Sequence, residues 1–356
     1  MSARHFLLIG LCSLILASCQ ANDHSSMNDK KELQEALHLT TSLWVVDWQS
    51  EESLQDAETI SHSLHNLILF GTYFDENGDF YQPDSAEEMV ETVLTEKEHQ
   101  SSVYLSFVND QFMDDGTIIQ KNPDLLVNIL ETDYSRKEHI EQILSFVHDK
   151  PIDGIEMDYE KIPTEYKTDF FLFTEELGQA LQPLNLSLRV VLEPGFLPEE
   201  NELQESIDYV VMAYNLYGFH SEPGPKASYE FLEVLSKRFP NDLGNIGMAL
   251  ATGGFSWQGD HVQALSEQDA LALISKHELT PTRDPNSGAM TFTFIENHQL
   301  VEVWYADGIT LKSWVEYLME LDDYRDFSFW RAGQLAESTL NHLANLNEDV
   351  MKEKRK

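Results

Sequence analysis

The chain of 356 residues is poor in cysteine and in positive charge. Its two cysteines, Cys12 and Cys19, both lie near the N-terminus. No thiol follows position 19, so a disulfide, a cysteine metal site and a thiol nucleophile are excluded from the rest of the chain. Lysine and arginine number 23 against 62 aspartates and glutamates, a formal net charge of −39. A field of that sign repels nucleic acid and anionic membrane surfaces, which leaves a neutral or cationic substrate as the better fit. Most of this acidity reads as a solubilising surface. Internal repeats and low-complexity segments are absent. The apolar run over 6–17 is too short to span a bilayer as a helix. What the chain does have is a 42% hydrophobic content and six tryptophans. That is enough to pack one large domain or two ordinary ones.

Arg4 precedes the apolar run, which ends in Leu16-Ala17-Ser18-Cys19. This ending resembles the bacterial lipobox, in which the chain is cut before the cysteine and that cysteine receives lipid. The resemblance implies a lipoprotein signal peptide over 1–18, lipidation of Cys19, and an extracytoplasmic protein anchored to the cell membrane. Ordinary secretory cleavage is the alternative. Residues 19–40 are polar and read as a tether.

From there, apolar runs alternate with amphipathic stretches. Strands are expected at 43–48, 66–74, 102–107, 154–160, 186–193, 209–215, 245–251 and 327–332. Helical periodicity is clearest at 84–98, 136–149, 164–182 and 226–238. Eight strands alternating with helices predict an α/β fold, a (β/α)8 TIM barrel over 41–335, with chemistry at the C-terminal ends of the strands. The long connection between the seventh and eighth strands contains "AMTFTFIENHQLVEVWY" (289–305), which predicts a small inserted β-hairpin or α+β element over about 258–305. Residues 336–356 read as a terminal helix and basic tail.

The segment "IDGIEMDYEKIP" (152–163) sets Asp153, Glu156, Asp158 and Glu160 among apolar residues. On a strand, Glu156, Asp158 and Glu160 share one face, about 6.5–7 Å apart, while Ile155, Met157 and Tyr159 take the other. Barrel interiors are normally filled with branched aliphatics, so three inward carboxylates are costly. Neighbouring like charges raise pKa values, which prepares one of them to hold a proton near neutrality as a general acid. A solvated edge face and a carboxylate site for a divalent metal are the other readings. No histidine stands at ligand spacing beside these acids, which argues against zinc.

At these residues the chain resembles glycoside hydrolase family 18, the chitinase-like family. The family's D-x-x-D-x-D-x-E signature appears as Asp153, Glu156, Asp158 and Glu160, with glutamate at the second position. "VMAYNLYG" (211–218) resembles the family's M-x-Y-D segment, with Asn215 where aspartate is usual. "EPGPKAS" (222–228), and "VEVWYADGITLKSWVEYL" (301–318) leading into "FSFWRAGQ" (327–334), resemble the spore-germination and cortex-lytic N-acetylglucosaminidase branch. The family's S-x-G-G on the third strand stands here as "SFVN" (106–109).

The resemblance implies a glycosidase cutting β-1,4 linkages beside N-acetylglucosamine, in peptidoglycan or chitin-like glycans, by a substrate-assisted retaining route. Glu160 is then the general acid. Asp158 polarises the acetamido N–H, Glu156 shares a proton with Asp158, and Tyr214 donates to the acetamido carbonyl. Asn215 binds the same group or a sugar hydroxyl, and Trp330 is the floor under the reacting sugar. Asp153 is expected to bond backbone at the strand entry. Trp48, Tyr73 and Trp257 fall at strand ends, where each either stacks on a sugar or packs the rim. No cofactor and no metal are implied. The expected partners are the glycan and, through the lipid, a membrane. The competing function is a carbohydrate-binding, lectin-like lipoprotein on the same barrel, weak or inactive in catalysis.

Overall fold

Strand runs such as "LWVV" (43–46) and "LILF" (67–70) are apolar at every position because parallel strands in a barrel are covered on both faces. The structure, a computed structural model, describes residues 38–95, 100–198 and 202–353. The expected signal segment, most of the tether and the last residues of the basic tail lie outside these. Eight parallel strands form the barrel: β1 (Thr40–Val46), β2 (Asn66–Phe74), β3 (Ser102–Phe112), β4 (Gly154–Asp158), β5 (Ser187–Leu192), β6 (Asp208–Met212), β7 (Asn245–Ala251) and β8 (Asp326–Trp330). Each pairs with the next, and β8 returns to β1 with Thr40 opposite Asp326 and Leu43 opposite Phe329. The expected (β/α)8 barrel is therefore the fold.

Alternation divides the buried residues into two layers. Ile155, Met157 and Tyr159 join the large cluster between strands and helices. Trp44, Val46, Phe70, Met212 and Tyr214 fill the barrel interior. Helices begin where the sequence supplies caps. Asn122 accepts from Asp124 N–H ahead of Pro123–Leu130, and Thr132 and Ser135 form a capping box ahead of Asp133–Val147. The short helix Ser50–Thr59 has no strong amphipathic pattern and was not expected. The C-terminal segment forms two helices, Glu337–Ala344 and Leu346–Glu353.

The insertion is larger than a hairpin. It is a five-stranded antiparallel sheet, in the order His261–Leu265, Gly253–Gln258, Gln299–Ala306, Met290–Glu296, Thr282–Arg283, with the helix Glu267–Lys276 against it. The expected hairpin is its centre, pairing Met290 with Tyr305 and Glu296 with Gln299. The chain leaves the barrel at Gly253 and Gly254. Gly253 has φ +57°, and a Cβ on Gly254 would lie 1.8 Å from the Trp304 carbonyl oxygen, so only glycine fits this close strand approach.

Candidate active site

Strand β4 delivers its acids into the barrel at successive heights. Asp153, at the entry, accepts from Val103 N–H at 2.8 Å, as expected for a residue that fixes the strand start. Glu156 is fully buried. Its Oε1 accepts from Trp44 Nε1 (2.6 Å) and Ser106 Oγ (3.0 Å), and its Oε2 accepts from Arg189 Nε (2.7 Å). The expected proton-sharing contact between Glu156 and Asp158 is thus replaced by an ion pair. Burial pushes the Glu156 carboxyl up and Arg189 pulls it back. With an always-charged guanidinium and two further donors engaging both oxygens, Glu156 is the anion of that pair. Arg189 in turn reaches the Ser42 and Ser328 hydroxyls, tying β5 to β1, β4 and β8.

One step higher, Asp158 Oδ2 accepts from Lys121 Nζ at 2.8 Å. Its Oδ1 is buried and has no hydrogen-bond partner among the described residues. Glu160 lies two residues beyond the end of β4, and its Oε1 lies 2.7 Å from the same Nζ. Burial is the main cause that lifts the Glu160 carboxyl to about 7, with the charge of Asp158 adding and Lys121 opposing. Beyond the strand, ladder hydrogen bonds no longer hold the backbone, and Asn109 replaces them. Its Oδ1 accepts from Glu160 N–H (3.0 Å) and its Nδ2 donates to the Glu160 carbonyl (3.0 Å). On the outer face, the Tyr159 hydroxyl meets His139 Nε2 at 2.8 Å, so this segment is held from both sides.

Lys121 has no motif around it and was missed by the sequence reading. A short hairpin, Gln111–Phe112 against Ile118–Ile119, turns the chain after β3 back toward the barrel mouth. Lys121 sits at φ +50°, and its N–H donates to Asp110 Oδ1 at 2.8 Å. The Asn122 N–H bonds the Asn109 carbonyl, so one loop positions both the lysine and the anchor of Glu160. The side chains of Asp158 and Glu160 hold the Lys121 ammonium well above its usual pKa despite its burial. The positive charge between the two carboxylates is this ammonium.

These residues border a cleft of about 640 Å³ at the C-terminal ends of the strands. Tyr214, Asn215, Trp330, Trp48 and Tyr73 all line it with Asp158 and Glu160. Tyr214 is buried, and Asn215 is exposed with φ +67°, a conformation asparagine tolerates. Trp330 packs edge-on against Phe70 and Trp44, with centroids 4.9 and 5.7 Å away, and forms the aromatic floor. Trp48 stands at the mouth, 55% exposed, 6.5 Å from Trp330. Tyr73 reaches the wall, but its hydroxyl already donates to Asp47 Oδ1 at 2.7 Å. Trp257 does not line the cleft. It belongs to the inserted sheet, is buried against Phe255, and donates its indole N–H to the Ser221 carbonyl at 3.1 Å. Sugar stacking by Trp257 is corrected to packing.

A family model described as "Glycosyl hydrolases family 18" matches residues 44–334. The "Uncharacterized glycosylase YvbX" of Bacillus subtilis (strain 168) is 23% identical over 272 residues, 71% of this chain and 76% of that protein. Among solved structures, the Bacillus cereus spore cortex-lytic enzyme SleL superposes with a TM-score of 0.72 at 19% identity, covering 87% of this chain and 74% of its own. A chitinase from Chromobacterium violaceum superposes with a TM-score of 0.70 at 16% identity, covering 86% and 98%. With the acid-bearing strand, the floor tryptophan and all of the barrel but the start of β1 inside the matched span, the chain belongs to glycosyl hydrolases family 18 and is a glycoside hydrolase.

Proposed function

We propose that this glycosidase hydrolyses β-1,4 linkages next to N-acetylglucosamine, with retention, using the substrate's own acetamido oxygen as nucleophile. The observation that carries the reading is the pair at the top of β4. Glu160 has a carboxyl at about 7, and Asp158 keeps one buried oxygen without a partner. An acid poised near neutrality protonates the departing glycosidic oxygen. The unpartnered Asp158 oxygen accepts the acetamido N–H, which becomes more acidic as positive charge spreads from the attacking carbonyl. The Tyr214 hydroxyl, which has no hydrogen-bond partner among the described residues, donates to that carbonyl and aligns it. Trp330 supports the apolar face of the sugar. When Glu160 carries its proton, the charge partner of Lys121 is Asp158.

The substrate is a wall glycan or chitin-like chain met outside the cytoplasm. The leader over 1–18, followed by Cys19, supports lipid attachment at the outer face of a membrane, which would hold the enzyme beside the wall. The test compares the full-length chain with Glu160→Gln on purified peptidoglycan and on chitin oligosaccharides, reading products by mass spectrometry and the anomer first formed by NMR. Cleavage that vanishes in the variant, with a β-anomer first, is the expected result. Glycan binding without products from either protein would replace the hydrolytic reading by the lectin-like one. Changing Cys19→Ala should move the protein out of the membrane fraction; unchanged fractionation would remove the anchor from the proposal.

A further inference from the structure

A second cavity, of about 350 Å³, opens between the barrel mouth and the inserted sheet. Tyr214, Asn215 and Trp330 line it as well as the cleft, so the two spaces meet at the floor of the site. Its lining includes two cations, Lys226 and Arg331. The Lys226 ammonium donates to the Thr252 carbonyl at 2.8 Å and lies 5.1 Å from the Phe255 ring centroid, which leaves two of its three N–H bonds without a hydrogen-bond acceptor among the described residues. The Arg331 Nη1 donates to Gln49 Oε1 (2.7 Å) and to the Ala332 carbonyl (3.0 Å). The guanidinium lies 5.5 Å from the Trp48 ring centroid, and among the described residues no acceptor takes its Nε or Nη2.

Two carboxylates share this lining, and both are engaged elsewhere. Glu267 accepts from Thr339 Oγ1 and Ala336 N–H, and Asp269 accepts from Ser266 N–H and Oγ. Asp269 acts on Arg331 only through space. A chain with a net charge of −39 has acids in abundance, yet it leaves these two cations without an ion pair among the described residues. Burial and the neighbouring guanidinium lower the Lys226 ammonium to about 7, the mark of a charge lacking its counterion.

We propose that this cavity is the subsite for a carboxylate borne on the sugar beside the reacting N-acetylglucosamine, such as the lactyl ether of muramic acid in peptidoglycan. The inference rests on the glycosidase reading above and narrows its substrate. Chitin carries no such group and would leave both cations without a counter-anion, whereas a carboxylate accepts from Lys226 and Arg331 together. Two cations at the cleft also let an acidic protein accept an anionic polymer at one point of its surface.

The test uses the full-length chain and peptide-free peptidoglycan strands, native or with the muramic carboxyl reduced to an alcohol. Wild type is expected to show a kcat/KM about tenfold or more higher on native strands, the scale of one charge-assisted hydrogen bond. Lys226→Met should bring that ratio toward one, and Lys226→Arg should keep it. The preference should also fade as pH rises through about 7, where free Lys226 loses its proton. Equal kcat/KM on native and reduced strands in wild type overturns the subsite while leaving the glycosidase reading intact. Calorimetric binding of both strands to Glu160→Gln decides the point without turnover. A chain that cuts neither glycan yet binds native strands more tightly defeats the hydrolytic reading and keeps the subsite. One that binds both alike, or neither, defeats the subsite.

Discussion

Replacing Lys121 by methionine removes the ammonium that lies 2.7 Å from Glu160 and 2.8 Å from Asp158 while keeping most of the stem. The sign of the effect on Glu160 follows from the charges. Lys121 favours the ionised carboxylate, so its loss raises a pKa that already sits at about 7. An opposite charge at this range moves a carboxyl by about one to three pH units. Both side chains are about one-fifth exposed, so solvent screens part of this, and a shift of about one to two pH units is expected. The general acid works when protonated, so the alkaline limb of kcat/KM against pH moves upward by that amount. The assay is release of reducing ends from a chitin oligosaccharide across the pH range, because kcat/KM reports ionisations of the free enzyme. A limb that stays in place or moves down would refute the argument that Lys121 sets the acid. A unchanged limb together with a large rise in KM would instead make Lys121 a substrate-binding group.

Arg189→Met strands the fully buried Glu156 without its counter-charge and should cost about 3–5 kcal/mol in chemical denaturation. The double variant with Glu156→Gln should recover part of that, and strict additivity of the two losses would speak against the pair. Asn109→Ala removes both bonds to the Glu160 backbone and should lower kcat by up to about 10²-fold with KM little changed. A kcat equal to wild type would show that Glu160 is placed by other means. Glu160→Gln should stabilise the fold above neutral pH, by about 1–3 kcal/mol, since the native state strains this carboxylate upward from 4.5 to about 7. The advantage shrinks as pH falls through this window and is gone once the acid is protonated in both states. Equal melting temperatures at alkaline pH would contradict the raised value.

Strand positions were legible because two-sided burial writes itself as unbroken apolar runs, and the strand-four acids were legible because carboxylates interrupt such a run. Arg189 carried the same signal in "LSLRVVLE", since an arginine inside an apolar strand needs an acid within the barrel. Reading it would have paired it with Glu156. Lys121 gave no such signal; it reaches the acids only through a hairpin and one left-handed residue, features set by tertiary packing. Trp257 misled because the chain departs from the barrel a few residues earlier, at Gly253, and the expected insertion began later than the real one. Asn109 was visible as a departure from the family's glycines, but its grip on Glu160 depends on β3 running alongside the segment that follows β4.

The seam between β1 and β8 joins residues as far apart in the chain as Thr40 and Asp326. Trp44 and Trp330, which together make the floor, stand on opposite sides of that seam. During folding, local helices and neighbouring strand pairs can form early, but this pairing carries the largest loop-closure entropy of the strand pairings in the barrel. The floor, and the Ser328 partner of Arg189 with it, come into being only when the ring closes. Recovery of glycan cleavage after dilution from denaturant should therefore lag behind recovery of helix signal, and partly folded chains should be catalytically silent.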